Sequence, residues 1–230
     1  MTYKICVDPG HGGSDPGASG NGLTEKTVNL SVAKNLSALL STAGFAVVMT
    51  RTNDLAVALE DRAKIANGNG CTLFLSIHHN AGGGVGAEVY HSAKNAQDDR
   101  LAQLIIDEFV SAGQVSRGAK VKTSSAGSDY YSVLKNTNAN IPSVITEYCF
   151  VDNKADAAKI DTPEKVEREA VAIYNAICRY FGVMVEPVKG DALSILAGKA
   201  GFDETHWRYM AEYMPSLHNL FDKIWAVWPK

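Results

Sequence analysis

Apolar positions along the chain follow two alternating rhythms. Short runs rich in aliphatic and β-branched residues, bounded by glycine, proline or small polar residues, occur from Tyr3 to Val7, Phe45 to Thr50, Leu73 to His78, Val85 to His91 and Ser143 to Val151, and they predict strands. Between them lie segments with helical spacing. Leu23 to Leu40 carries Val28, Leu30, Val32, Leu36, Leu39 and Leu40, with Thr24 as its expected N-cap and Gly44 as its stop. Leu59 to Asn67 ends at Gly68 and Gly70, Leu101 to Ala112 aligns Leu101, Leu104, Ile105, Ile106 and Phe109, and Val166 to Phe181 closes the series. Strands that alternate with helices imply an α/β fold: a twisted, mostly parallel sheet of about six strands with helices on both faces.

The rhythm breaks near residue 184. Pro187 and Gly190 lie in a segment read as a linker, 184–190, which leaves 1–183 as the main domain and 191–230 as a small C-terminal helical segment. In that tail apolar spacing suggests helices around Leu193 to Ala200, Thr205 to Met214 and Leu217 to Trp228. Trp207, Trp225 and Trp228 either stack on sugars or fill a small core. About forty residues without cysteine rarely fold alone, so the tail is expected to dock or to form a homo-oligomer.

Composition narrows the classes of function. The chain is 46% hydrophobic and 20% charged, which suits a soluble core. A net charge of −3 without a basic stripe argues against nucleic acid and anionic membranes, and no apolar stretch approaches the ~20 residues of a membrane span. The start reads as a strand rather than an export signal. Cys6, Cys71, Cys149 and Cys178 are scattered, with no CxxC pair, and are expected to be reduced core thiols.

Three polar groups stand where a purely structural reading has trouble placing them. His11 lies in the loop Asp8-Pro9-Gly10-His11-Gly12-Gly13, His78 follows an apolar strand, and Glu147 interrupts another. Strand ends of an open α/β sheet converge on one crevice, and Glu25 begins the helix beside the His11 loop. A lone strand histidine is usually a core residue, and an acid at a helix start is usually a dipole partner. A carboxylate among Val144, Ile145, Tyr148 and Phe150 needs a partner for its charge or its proton. Two imidazoles and a carboxylate suit zinc with an open position for water, and an unligated carboxylate such as Glu147 suits the base of a hydrolysis.

These residues sit in longer motifs. Val7-Asp8-Pro9-Gly10-His11-Gly12-Gly13 with Gly17 and Glu25-Lys26, Thr50-Arg51 with Asp54, Leu59 and Arg62, Ala66-Asn67, Ser76-Ile77-His78-His79-Asn80-Ala81, and Ile141-Pro142-Ser143-Val144-Ile145-Thr146-Glu147 occur in that order. Over roughly residues 3 to 181 the chain resembles the zinc-dependent N-acetylmuramoyl-L-alanine amidases of bacterial autolysins and phage endolysins. The resemblance implies His11, Glu25 and His78 as Zn2+ ligands, Glu147 as general base, and peptidoglycan as substrate, cut between the muramic lactyl group and L-alanine.

His78 and His79 point to opposite sides of a strand, so only one ligates, and the family pattern selects His78. Asn80, His79 and His91 are the candidate substrate contacts, with packing as the alternative for His79, while Asp8 and Asn80 are candidates to orient ligands. Arg51 and Arg62, also at positions the family shares, read as structural ion-pair or hydrogen-bond residues, with contact to substrate carboxylates as the alternative. His206 and His218 have no partner that suggests a metal. Some members of the family carry a helical insertion over the zinc. The segment Ser124 to Asn140 reads instead as mainly polar loop, which implies an open cleft with no activator. A zinc endopeptidase cutting within the stem or cross-link, and a non-catalytic wall-binding protein, are the rival readings. With no export signal visible, a phage or prophage endolysin or a truncated autolysin is expected, made in the cytoplasm and acting on the bacterial wall.

Overall fold

The computed structural model describes residues 3–183, so the expected linker 184–190 and the helical segment 191–230 lie outside the described residues. In chain order the elements are β1 (Lys4–Pro9), β2 (Ser19–Gly20), β3 (Leu23–Thr24), α1 (Glu25–Thr42), β4 (Ala46–Met49), α2 (Leu59–Gly68), β5 (Leu73–Asn80), β6 (Ala87–His91), α3 (Ala96–Ser111), β7 (Ser116–Lys120), α4 (Ser132–Asn136), β8 (Ser143–Phe150), α5 (Lys154–Ala157) and α6 (Pro163–Phe181).

Six strands form one sheet in the order β4-β1-β5-β8-β6-β7. The first four run parallel, β6 is antiparallel to β8, and β7 is parallel to β6. The expected α/β class, mostly parallel sheet and two helical layers are present. β1 is a central strand covered on both sides, which is why Ile5, Cys6 and Val7 form an unbroken apolar run without period-2 alternation. Cys6, Phe74 and Ile145 face a cluster completed by Ala66 of α2 and Val133 and Leu134 of α4. Alternation turns Ile5, Val7 and Leu75 to the opposite face, where α1 and α3 pack beside α6.

The long helices start and stop for local reasons. α6 has proline at its first turn and ends at Gly182 with φ 66°, the left-handed cap that glycine accepts without strain. Thr24 does precede α1, but its hydroxyl makes no capping bond, because the backbone N–H groups of Glu25 and Lys26 are met by the carbonyls of Ala18 and Pro16. The β2–β3 ribbon, β7 and α4 are additions to the sequence reading. All four cysteines are buried free thiols. No helix among the described residues is long and apolar enough to cross a membrane.

Candidate metal centre

The loop after β1 is built to present an imidazole. His11 has φ 60°, a left-handed conformation that costs a non-glycine residue ~1–3 kcal/mol unless its surroundings enforce it. Two buried arginines enforce it. Arg51 donates through Nε to Pro9 O (2.9 Å) and through Nη2 to Gly10 O (2.8 Å), while Arg62 donates to Pro9 O (2.7 Å) and His11 O (2.8 Å). Three successive carbonyls are thereby satisfied by two guanidinium forks. Arg62 also pairs with Asp8 at 2.7 Å, and Asp8 accepts from Thr50 and Ser76 at 2.5 and 2.6 Å in a wholly buried network. Asp8 therefore acts on the loop through Arg62.

Glycines make room for the side chains. A Cβ at Gly10 would lie 2.2 Å from the His78 ring, and one at Gly17 would lie 2.5 Å from Glu25 Oε2 and 2.6 Å from His11 Cδ2. Within that cradle Glu25 Oε1 is 3.2 Å from His11 Nε2 and 3.0 Å from His78 Nδ1, and the two rings meet edge to face at 4.8 Å. One ligand atom from each of His11, Glu25 and His78 falls within 4.8 Å of the others, a possible metal site. His11 Nδ1 is engaged by Asp15 at 2.8 Å, which leaves Nε2 facing inward. Glu25 Oε2 accepts from Ala18 N (2.8 Å), and Oε1 also accepts from His79 N (3.1 Å).

The electrostatics ask for a cation. Burial works against the Glu25 charge, but hydrogen bonds from His11 and His78 outweigh it and hold the carboxyl well below the usual range. Burial also opposes charge on His11, and Glu25 and Asp15 reverse that effect and raise its pKa. Glu147, on β8, is the register partner of His78 on β5 and of Glu88 on β6. Its Oε2 is sealed from solvent and has no hydrogen-bond partner among the described residues. Burial first, then Glu25 and Glu88, push its pKa well above the ordinary value. Glu25 and Glu147 thus stand beside two imidazoles, while Glu88 is paired with Arg117 and Lys120, and the His11-Glu25-His78 group could hold a divalent ion.

The remaining candidates divide. Asn80 donates to Glu88 Oε1 at 2.7 Å and accepts from Ala81 N, so it holds a neighbour of Glu147 rather than a ligand. His79 is 2% exposed on the opposite face of β5, with Nδ1 at 2.8 Å from Asn29 Oδ1 and Nε2 at 3.0 Å from Glu169 Oε2. The packing alternative describes its position. His91 is not brought to the cluster. Because β6 runs against β8, Glu88 at the start of β6 stands beside Glu147, whereas His91 pairs with Val144 at the far end and lies 3.5 Å from Asp99. Sequence reasoning missed Asp15 and Glu88. Asp15 had a readable signal in its spacing of four from His11; Glu88 depended on the unread strand direction.

Between α3 and β8, β7 and α4 fill the segment, and α4 packs on α2 through the Val133–Leu134 cluster. His11 and His78 side chains keep 24% and 20% exposure, so the cluster opens to solvent.

An open α/β sheet with a possible His-Glu-His metal site beside its strand ends and a separate half-buried glutamate has the parts that hydrolysis of an amide needs. The chain belongs to the N-acetylmuramoyl-L-alanine amidase family, whose model matches residues 5–179. It is 37% identical over 184 residues to the sporulation-specific N-acetylmuramoyl-L-alanine amidase of Bacillus subtilis, covering 78% of this chain and 69% of that one. The endolysin of Bacillus phage SPP1 is 36% identical over 167 residues, covering 69% of this chain and 58% of the relative. Among solved structures, Cwp6 from Clostridium difficile matches with TM-score 0.75 and 35% identity over 78% of this chain and 29% of its own. An N-acetylmuramoyl-L-alanine amidase from Clostridium difficile 630 matches with TM-score 0.71 and 28% identity over 80% of this chain and 99% of that one.

Proposed function

We propose that the chain is a zinc-dependent amidase of the bacterial cell wall, hydrolysing the amide between the N-acetylmuramic acid lactyl group and L-alanine of the stem peptide. The observation that carries this reading is the convergence of His11 Nε2, His78 Nδ1 and Glu25 Oε1, with Glu147 in register beside His78 and outside the ligand set. Two nitrogens and one carboxylate oxygen are a donor set that suits zinc and leaves a position open. Family membership supports the choice of bond.

Zinc in this site would supply Lewis acidity toward the lactyl carbonyl and toward water. His11, Glu25 and His78 hold it. Asp15, accepting from His11 Nδ1, fixes the tautomer that turns Nε2 inward. Glu147 takes the proton of the attacking water on its carboxylate and returns it to the L-alanine nitrogen, since an amine leaves poorly until protonated.

Mass spectrometry of digested muropeptides, paired with metal analysis, tests the assignment. New L-alanine amines and intact lactyl carboxylates are expected; amines from other stem residues would mean an endopeptidase instead. Glu147→Gln is expected to keep its zinc and lose about 10²- to 10⁴-fold in turnover. Near-normal turnover in that variant would overturn the role of Glu147.

A further inference from the structure

Three cations follow one another along β7 and the hairpin after it. Arg117 lies 3.0 Å from Glu88 and 4.9 Å over the Phe150 ring, and Lys120 pairs with the same carboxylate while standing 5.9 Å from the centre of Tyr90. Glu88 is thus shared by two cations. Lys122 is different: its ammonium stands 4.0 Å over Tyr130 and 5.5 Å from Tyr131, and among the described residues no carboxylate pairs with it.

The position is built into the backbone. Lys122 and Tyr130 face each other across a small hairpin, in which Tyr130 N donates to Lys122 O (2.9 Å), Thr123 bridges Asp129, and Ser124 N donates to Ser128 O (2.7 Å). Asp129 anchors that hairpin by accepting from Ser92 Oγ (2.6 Å) and Ala93 N (2.9 Å). From Tyr130 the aromatic row continues to Tyr131 at 5.3 Å and on to Tyr90 at 4.9 Å, two residues along β6 from Glu88. The row therefore begins at Tyr90, diagonal to Glu147 across the β6–β8 pair, and ends under the Lys122 ammonium, with Tyr130 itself 56% exposed. Cation–ring contact holds a lysine head in place without neutralising it.

We propose that Lys122, seated on Tyr130, is a subsite for a carboxylate of the substrate peptide beyond its L-alanine. This rests on the amidase reading above. Diagonal cross-strand neighbours lie ~7–8 Å apart. With the ring steps and the reach of the Tyr90 side chain added, the ammonium is within roughly 21 Å of Glu147, about the span of six extended residues. Stem peptides place acidic groups within that span, at the second residue when its α-carboxyl is free and at the third when that residue is a diamino acid with a free carboxyl. Amidation of either removes the charge and keeps the shape.

The test uses the full chain loaded with zinc and two sets of matched synthetic muramoyl peptides, one amidated or free at the second residue, the other at the third. Wild type is expected to favour the free acid in one set by about two- to fivefold in kcat/KM at low salt, the effect of one exposed ion pair, and that set identifies the carboxylate. Lys122→Gln should abolish the preference through KM, Lys122→Arg should keep it, and added salt should shrink it. The subsite is overturned if Lys122→Gln keeps the wild-type preference, or if wild type shows none in either set. Absence of any L-alanine release by wild type would be a different failure, of the amidase reading, and the subsite would fall with it.

Discussion

Glu25 Oε1 stands 3.0 Å from His78 Nδ1 and 3.2 Å from His11 Nε2, so a single oxygen at the first residue of α1 closes a triangle whose other corners come from β5 and the β1 loop. The arrangement holds because each corner is fixed from behind. Arg51 and Arg62 hold the loop, the strand ladder holds His78, and the N–H groups of Ala18 and His79 hold the carboxylate.

Asp15 should matter for metal affinity out of proportion to its 64% exposed side chain. Asp15→Asn removes the charged acceptor on His11 Nδ1 and is expected to weaken zinc binding about 10- to 100-fold with little change in thermal stability. Competition with a chromogenic chelator would measure it; unchanged affinity would deny Asp15 that role.

Gly17→Ala combines two costs. At φ 64° a Cβ is strained, by ~1–2 kcal/mol for a residue in the left-handed region, and it would also press on Glu25 Oε2 and His11 Cδ2. Gly22→Ala, at φ 81° with nothing within 4 Å, carries the backbone cost alone. Only the first variant is expected to lose metal, as calorimetric titration with zinc would show.

Arg62→Met strands Asp8, whose carboxylate would keep only the hydroxyls of Thr50 and Ser76 in a fully buried site. A loss of roughly 3–5 kcal/mol in urea unfolding is expected. Adding Asp8→Asn should recover part of it, and purely additive losses would show that the two residues are not coupled.

Asp98 gives the pH dependence. Burial pushes its carboxyl up to about 7, helped by Asp129 and opposed by hydrogen bonds from Ser143, and its Oδ1 has no partner among the described residues. The folded group holds its proton more tightly than the unfolded one, so its stabilising contribution is full below about 4 and is lost as pH rises through about 7. Asp98→Asn removes this dependence. The stability of the variant relative to wild type should therefore increase from pH 4 to 8 in paired urea titrations, whereas a constant difference would refute the assignment.

What could be read from the chain was what periodicity and residue chemistry encode. Buried parallel strands write themselves as apolar runs, and α1 and α6 as stripes with clear stops, so the sheet and its two helical layers were visible. β7 was not, because Ser116-Arg117-Gly118-Ala119-Lys120 has the composition of a loop and becomes a strand only by pairing with β6. Nor does a short run such as β6 state its direction, and that silence hid the place of Glu88 beside Glu147. In the site, His11, Glu25, His78 and Glu147 stood out because each is costly to explain as packing. Asp15, a loop acid among glycines, did not.

Neighbouring histidines on one strand carry a hazard, since slipping β5 by a single residue would swing the wrong imidazole toward the crevice. The lining of Asn29 and Glu169 that receives His79 removes the ambiguity, because in the slipped register this buried acid would be left without its ring. Fidelity of strand alignment, and with it the aim of His78, is thus secured by α1 and α6 on the face of the sheet to which His79 points.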